Sequence, residues 1–349
     1  MLGTRTSRIE KNYFHQFESY ETEYFSSYAD KSIFEIMRFG IQRLLTGLHI
    51  PQEYLCLSLE TFSKALKIFL QSDDQNQFEI THSTLLLGYK PLILAINFTD
   101  HSNTPQYHND ISLHFKNDQI TLATLQLRKI SEREFNGIKT MFYEGTLGQH
   151  HFINTFQQKL NSFFLQLTKK PAGNIALDGN LYDQVRIAYS VPRIIALISV
   201  CEGENMNLFP TDLHGAIGSE YYVSSLRIGG KALEQVERLK KNVISEINSS
   251  FSKVVYALGK NHMTEMTPIS GFSIEGERST NFDFPIPTGA GSYRELNLID
   301  SFDVGIHRIL IYKIIHQKKI KSIDTLAHIH QYYAQWRLNH NMKDKFLLR

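Results

Sequence analysis

The strongest structural signal in this sequence is the stretch Val191-Pro-Arg-Ile-Ile-Ala-Leu-Ile-Ser-Val-Cys-Glu-Gly-Glu-Asn-Met-Asn-Leu-Phe-Pro-Thr-Asp-Leu-His-Gly215. A Pro-Arg pair leads into the apolar run 194–200, which is typical of a strand buried on both of its faces. A glycine turn follows, and then the motif Asn207-Leu-Phe-Pro-Thr211. The stretch therefore predicts a buried β-strand that is followed closely by a proline-containing motif.

The elements predicted around this stretch are mostly strands. Strands are predicted at 184–189, 221–226 and 305–315, a helix with one apolar face at 231–241, and a C-terminal helix at 323–337. Strands outnumber helices and do not alternate regularly with them. We therefore expect an α+β fold in which a small β-barrel carries peripheral helices, rather than a doubly wound sheet.

The first half of the chain has a different pattern. Apolar residues at helical spacing predict helices at 33–45, 60–70, 131–143 and 152–167. Two strands are predicted within 84–98, broken at 88–91, and a hairpin within 110–125. The turn-rich segment 169–174 divides the chain into an N-terminal α+β domain of unknown type, residues 1–170, and a C-terminal domain, residues 171–349.

Composition excludes several classes of protein. Lys plus Arg number 37 against 35 for Asp plus Glu, and this net charge of +2 lacks the basic excess of a nucleic-acid or membrane-surface protein. No apolar run approaches the roughly 18 residues of a membrane span. The two cysteines, Cys56 and Cys201, are too few for a disulfide framework. We expect a cytoplasmic protein that binds neither nucleic acid nor membrane.

Motifs for several kinds of chemistry are incomplete in this sequence. Residues 226–231 are similar to the end of a Walker A loop, but Ser225 and Ala232 stand where that loop requires Gly and then Ser or Thr. Gly289 and Gly291 lack the third glycine of a dinucleotide fingerprint. No nucleophile elbow and no His-Glu-x-x-His helix occur. These observations argue against an NTPase, a Rossmann dehydrogenase and a zinc protease, and no metal ligand or catalytic acid–base group is assigned.

Four short motifs follow one another in a recognisable order. They are Pro192-Arg193 before the buried strand, Asn207-x-x-Pro-Thr211, Tyr222-Val-Ser-Ser-Leu-Arg227 and Gly305-Ile-His307. This order resembles the flavin reductase-like family of FMN-binding split β-barrels over about residues 185–320. The sequence departs from the family pattern at Ile194 (usually proline), Thr211 (usually serine) and Ile306 (usually aspartate).

The resemblance implies an FMN-binding split β-barrel with peripheral helices in the C-terminal half. It also implies FMN as the cofactor, NAD(P)H as the co-substrate, and hydride transfer in which the protein binds and orients the cofactor. The family further implies a homodimer. The alternative is a non-catalytic module for a flavin or another planar ligand, joined to an interaction domain.

The resemblance also assigns site residues. It places cofactor contacts at Asn207, Pro210, Thr211, Asp212, Ser224, Ser225, Arg227 and Lys231, and nicotinamide positioning at His307. Hydroxyls, a guanidinium and a glycine-preceded helix start suit a phosphate dianion. Without the family order, residues 224–231 favour an ordinary strand–turn–helix over a phosphate site. The segment 207–211 likewise fits a proline-bounded turn that the Asn207 side chain stabilises.

Two features leave alternatives open. The segment Tyr89-Lys-Pro-Leu-Ile-Leu-Ala-Ile-Asn97 is similar in pattern to 191–199, which fits either a degenerate second barrel paired within the chain or a chance match of apolar strands. We favour the chance match, and hence the homodimer. The loop 271–293, with Phe282 and Phe284 among glycines and prolines, fits either a lid over a cofactor or a surface excursion.

Overall fold

Strands dominate the computed structural model of this chain, which describes residues 48, 50, 52–71, 77–99, 109–167, 175–342 and 344–347. The strands are β1 (Tyr54–Ser58), β2 (Lys67–Gln71), β3 (Gln77–Glu79), β4 (Thr84–Tyr89), β5 (Leu92–Phe98), β6 (Asp110–Asn117), β7 (Ile120–Phe135), β8 (Ile138–His150), β9 (Arg193–Ile194), β10 (Ala196–Glu202), β11 (Asn205–Thr211), β12 (His214–Ile217), β13 (Tyr221–Arg227), β14 (Lys241–Ile247), β15 (Thr267–Pro268), β16 (Ile274–Arg278), β17 (Pro285–Pro287), β18 (Ala290–Val304), β19 (His307–Lys319) and β20 (Leu326–His330). The helices are α1 (Thr155–Leu167), α2 (Leu181–Ala188), α3 (Lys231–Leu239), α4 (Ser252–Ala257) and α5 (Gln331–Asn339). This content agrees with the predicted α+β class.

The described strands form three main sheets and one short ribbon. The first sheet has the order β3-β2-β6-β7-β8-β5-β4, and the second has the order β12-β13-β19-β18-β14-β10-β11-β15. The third sheet joins β1, β20 and β9, and the ribbon pairs β16 with β17. All pairings between these strands are antiparallel. A doubly wound parallel sheet is therefore excluded for the described residues, as the sequence predicts.

The central strand β10 is buried on both faces, which confirms the prediction made from its apolar run. Ile198 and Val200 pack with Val236 of α3 in one cluster, whereas Leu197 packs in a second cluster on the other face. Alternate residues of a strand point to opposite faces, so an unbroken apolar run suits a strand with a covered face on each side.

The first and second sheets pack face to face through β5, β8, β13 and β19. The buried residues of this contact are Leu87, Ile93, Ala95, Phe135, Phe142, Ile217, Val223, Ile309 and Ile311. The turn between β4 and β5 consequently lies against the second sheet, where the backbone N–H of Ile306 donates to the carbonyl oxygen of Lys90 at 3.1 Å.

The third sheet connects distant parts of the chain. β20 pairs with β1 on one side and with β9 on the other. Helix α5 follows β20 directly, and its Arg337 is fully buried and forms a bidentate ion pair with Asp344 at 2.5 and 2.7 Å. The same guanidinium donates to the backbone carbonyls of Ser63 and Lys64, so it fixes α5 to the segment before β2.

Several predicted elements are wrong. Residues 131–143, predicted as a helix, belong to the hairpin of β7 and β8, which turns at Asn136–Gly137 with φ of 47° and 80°. Residues 60–70 form a short 3₁₀ turn and then β2, and 184–189 fall mostly in α2. The predicted C-terminal helix begins as β20. In each case tertiary pairing overrides a local apolar spacing that fits both kinds of element.

Other predictions are confirmed or stay outside the described residues. The strand pair at 84–98, the hairpin at 110–125 and α1 within 152–167 appear as predicted. The helix predicted at 33–45 lies outside the described residues. The domain boundary at about 170 stays a prediction; Gln184 of α2, beyond that boundary, packs against Gly145 and Gly148 of the first sheet. In the described part of the chain no helix has the length and apolarity that a membrane crossing requires.

The buried ion pair of Arg337 gives a test of how α5 is fixed. Arg337→Met leaves the Asp344 carboxylate, which is 2% exposed, without this cation, and we expect a loss of about 3–5 kcal/mol in the free energy of unfolding. The matched control is Arg238→Met, because Arg238 forms an exposed pair with Glu202 and its replacement should change the free energy of unfolding far less. Urea unfolding measures both, and equal losses would contradict the role given to Arg337.

Candidate functional site

A cavity of about 540 Å³ lies where β11 and β13 end and α3 begins. It is lined by Tyr89, Pro210, Thr211, Asp212, Leu213, Ser225, Leu226, Arg227, Gly230, Ala232, Leu233, Gly259, Lys260, His262, Met263 and His307. Its volume falls within the range of about 300–1,000 Å³ that is usual for small-molecule and cofactor sites. Six of the nine residues predicted from the sequence line it: Pro210, Thr211, Asp212, Ser225, Arg227 and His307.

The end of β13 brings two of these residues to the cavity. Ser225 is held in place by its backbone N–H, which donates to the carbonyl oxygen of Leu213 at 2.9 Å. Arg227, two residues later on the same face of the strand, is exposed and stands opposite His307 in the register of β13 with β19. The buried hydroxyl of Ser225 has no hydrogen-bond partner within the described protein.

The three remaining predicted residues lie outside the cavity lining. Ser224 points to the opposite face of β13, where its hydroxyl is 3.1 Å from that of Tyr312. The Lys231 ammonium lies 2.9 Å from a Glu234 oxygen and 3.0 Å from a Glu265 oxygen. Asn207 is buried and has a structural contact with one wall of the cavity, described next.

That wall is the 3₁₀ turn Leu258–Met263, which supplies Gly259, Lys260, His262 and Met263. The Asn207 amide donates to Gln235 Oε1 at 2.7 Å and to the Asn261 carbonyl at 3.0 Å. His262 Nε2 donates to the carbonyl oxygen of Pro210 at 2.7 Å. These bonds hold the turn against both α3 and β11, so Asn207 shapes the cavity from behind.

Asp212 is a partly buried carboxylate that accepts hydrogen bonds from two side chains. Its Oδ2 accepts from the Tyr189 hydroxyl at 2.6 Å and from His328 Nε2 at 2.7 Å. Burial alone would raise the pKa of Asp212, but His328 and Tyr189 outweigh burial and lower the pKa to about 2. Asp212 is therefore ionised throughout the physiological range and offers the cavity a fixed negative charge.

His307 is held in one tautomer at the edge of the cavity. Its ring meets Tyr89 edge to face at 4.5 Å, and its Nε2 accepts from the Tyr89 backbone N–H at 3.5 Å. Because Nε2 accepts, the proton of the neutral ring lies on Nδ1, which is buried without a partner in the described protein. Burial lowers the pKa of His307, Asp212 raises it and Arg227 lowers it; the net pKa is about 4, so the ring is neutral at pH 7.

The main residue that the sequence-based assignment misses is Tyr89, at the end of β4 in the first half. Burial raises the pKa of its hydroxyl, which therefore stays protonated. Its signal in the sequence is the similarity of 89–97 to 191–199, which we weigh as a chance match. The 3₁₀ turn is missed because 258–263 carry no motif.

The loop 271–293 is not part of this lining. Phe282 and Phe284 pack against the apolar cluster beneath β10, with their rings 5.7 Å apart. The Glu295 carboxylate accepts the backbone N–H groups of Asn281 and Phe282 at 2.8 and 2.7 Å. Of the two alternatives for this loop, the packing favours a surface excursion tied to the second sheet.

The described residues contain no group of three or more His, Cys, Asp or Glu side chains placed to hold a metal ion.

Comparisons with known proteins give results only among solved structures. No protein-family model and no curated protein matches the chain. The chain is similar to a Thermus thermophilus FMN-binding protein with bound p-hydroxybenzaldehyde, with 15% identity over 44% of this chain and 83% of that protein, at a TM-score of 0.36. It is also similar to BorF, the flavin reductase component of a bacterial two-component tryptophan halogenase (13% identity, 48% and 98% coverage, TM-score 0.39). A third similar structure is the Streptomyces globisporus C-1027 NADH:FAD oxidoreductase SgcE6, with 11% identity over 46% of this chain and 96% of that protein, at a TM-score of 0.36.

These structures are flavin reductases and FMN-binding proteins, and each similarity covers about half of this chain.

The pKa of Asp212 gives a testable pH dependence of stability. Its pKa in the folded protein, about 2, is below the ordinary value of 3.8, so folding stabilises the ionised form. This contribution is complete above about pH 5 and is lost as the pH falls toward 2. We expect Asp212→Asn to lose about 2 kcal/mol at pH 7, with a difference from the parent that narrows below about pH 4.

Urea unfolding of both proteins at pH 7, 5 and 3 measures this difference. Asp178→Asn is the matched control, since the Asp178 side chain is 83% exposed and its loss should cost less than about 0.5 kcal/mol at every pH. If the difference in the free energy of unfolding between the parent and Asp212→Asn does not depend on pH, the assignment of a stabilised, ionised carboxylate to Asp212 is contradicted.

Proposed function

We propose that this protein binds FMN in the cavity and acts as an NAD(P)H-dependent oxidoreductase of the flavin reductase type. The observation that carries the proposal is the meeting, in one cavity, of an apolar wall with anion-binding groups at the start of a helix. A flavin mononucleotide has the same two parts, a planar ring and a phosphate.

The apolar part of the cavity suits a planar ring. It consists of Leu213, Leu226, Leu233, Met263 and the aromatic ring of Tyr89. Apolar side chains exclude water from a ring that they cover, and a few polar groups then fix its orientation. The ionised Asp212 is such a group, because it accepts hydrogen bonds from N–H groups of a ring edge or a carboxamide.

The polar part suits a phosphate. The N-terminus of α3 is capped by Gly230, which gives backbone N–H groups close access to an anion. Arg227 adds a guanidinium at the mouth, and the Ser225 hydroxyl and His307 Nδ1–H are buried donors for which the described protein supplies no acceptor. Buried donors without partners are costly, and a bound acceptor removes that cost.

The chain's own residues bind, orient and shield in this proposal, and none transfers a proton. When bound, FMN supplies the hydride-accepting chemistry. His307 is neutral at pH 7, so we assign it to positioning, by donation from Nδ1 to an acceptor on the flavin or the nicotinamide. Tyr89 keeps His307 in that tautomer.

The alternative from the sequence is a non-catalytic module for a flavin or another planar ligand, and the same cavity serves it. The homodimer and the cytoplasmic location stay predictions from the sequence.

The first test is the absorbance spectrum of the purified chain. We expect FMN-reconstituted protein to show bound-flavin bands, and anaerobic NADH or NADPH to bleach them. Binding without bleaching by either nucleotide would leave the non-catalytic alternative. Absence of flavin binding after reconstitution would overturn both.

The second test concerns the phosphate. Charge-assisted contacts are worth roughly 1.5–3 kcal/mol, so Arg227→Ala should weaken FMN binding about tenfold to a hundredfold. Riboflavin, which lacks the phosphate, should bind equally to the parent and to Arg227→Ala. Fluorescence titration with both flavins measures this. We expect a smaller loss for Lys231→Ala, because Glu234 and Glu265 hold its ammonium.

Arg238→Ala is the control, since Arg238 lies at the other end of α3 and pairs with Glu202. An Arg227→Ala variant that loses FMN and riboflavin affinity alike would show that Arg227 does not contact the phosphate.

A further inference from the structure

The first and second sheets have the same strand order. Counted from one edge, the first sheet is β4-β5-β8-β7-β6-β2-β3, and the second is β12-β13-β19-β18-β14-β10-β11, with β15 added at the far edge. The seven strands β2 to β8 can be matched one by one, in chain order, with the seven strands β10 to β14, β18 and β19. With this matching, the spatial order of the strands is identical in the two sheets. The chain therefore contains the same antiparallel unit twice.

The registers match individual residues between the two units. Each unit has one long hairpin, β7–β8 in the first and β18–β19 in the second. Both hairpins turn with two residues, between Phe135 and Ile138 in the first unit and between Val304 and His307 in the second. Ile138 therefore corresponds to His307. Four residues after these two, Phe142 pairs with Ala95 and Ile311 pairs with Val223. Ala95 therefore corresponds to Val223.

Corresponding positions of the two units lie against each other. Leu85 pairs with Ala95 and Gly215 pairs with Val223, so Leu85 and Gly215 correspond. A Cβ atom added at Gly215 would lie 2.4 Å from Leu85 Cδ2, so these two positions are in contact. Contact between equivalent positions is the signature of a two-fold axis.

The hairpin tips repeat this relation on both sides of the axis. Each unit also has a short hairpin, β4–β5 in the first and β12–β13 in the second. The tip of the long hairpin of the second unit contacts the tip of the short hairpin of the first, where the Ile306 N–H donates to the Lys90 carbonyl oxygen at 3.1 Å. The long-hairpin tip of the first unit contacts the short-hairpin tip of the second, through Asn136 Nδ2 and Glu220 Oε1 at 2.9 Å. The two units are therefore paired as two subunits of an isologous dimer would be.

The two units differ at the cavity. The residues that correspond to Ser225, Arg227 and His307 are Asn97, Thr99 and Ile138. Asn97 is satisfied within the protein, because its Oδ1 accepts from Thr140 at 2.9 Å and its Nδ2 donates to the Ala216 carbonyl at 3.3 Å. The first unit thus offers an anion neither the guanidinium nor the partnerless hydroxyl of the second.

In place of the homodimer expected from the sequence, we propose that this chain is a self-paired monomer. The first unit takes the place of a second subunit, and a single flavin site is kept. The first unit still supplies Tyr89 to that site. The number of sites rests on the proposed function, whereas the self-pairing rests on the strand order and the contacts at the axis alone.

The experiment on assembly combines light scattering with flavin stoichiometry on the full chain. At micromolar concentration we expect the mass of one chain, 40.3 kDa, and one FMN bound per chain in equilibrium dialysis. A mass of two chains overturns the self-paired monomer, and two FMN per chain overturn the single site. A monomer that binds no FMN would refute the proposed function and leave the self-pairing supported.

A residue exchange across the axis tests the pairing itself. Gly215→Leu should crowd Leu85 and lower the thermal midpoint by about 2–8 °C. Leu85→Gly combined with Gly215→Leu moves the same side chain to the corresponding position and should recover part of that loss. Gly271→Leu is the control, because nothing lies within 4 Å of that position. A double variant no more stable than Gly215→Leu would overturn the two-fold pairing.

Discussion

The partly buried negative charge of Asp212 is the constraint on which the rest of the site depends. A carboxylate removed from water is costly unless donors hold it, and here the donors are Tyr189, just after α2, and His328 on β20. His328 reaches Asp212 only because β20 is held between β1 and β9. The third sheet, which looks peripheral to the cavity, is therefore part of what makes the cavity's charge tolerable.

The cavity itself is made by elements that are far apart in the chain. The ends of β11 and β13, the start of α3 and a 3₁₀ turn form most of it, and the first sheet closes it with Tyr89. The polar groups differ in whether their donors are hydrogen-bonded within the protein. His307 and Ser225 each have a buried donor that the described protein leaves unused, whereas Asn207 and Asn97 have their amides bonded internally. In the proposed function, a bound ligand accepts from these two donors of the cavity.

The sequence correctly predicts strands β10 and β13 and helix α3 because their signals are local. The apolar run of β10 and the one-sided helix α3 need no knowledge of distant residues, and the motif order brings six site residues to one cavity. Prediction from the sequence fails where pairing between distant segments determines the secondary structure. Residues 131–143 have helical spacing, yet a two-residue turn at Asn136–Gly137 makes them a hairpin. Tyr89 is missed for the same reason, since only the packing of the two sheets brings it to His307.

The pairing of β1 with β20 has a consequence for how the protein is made. A chain emerges from the ribosome with its N-terminal part first, and strands that are distant in sequence pair slowly. The strands of the first and second sheets all precede β20 in the chain, so the imidazole partner of Asp212 is the last of these parts to be added. A chain that ends before β20 therefore contains every strand of both sheets but lacks the imidazole that stabilises the Asp212 carboxylate.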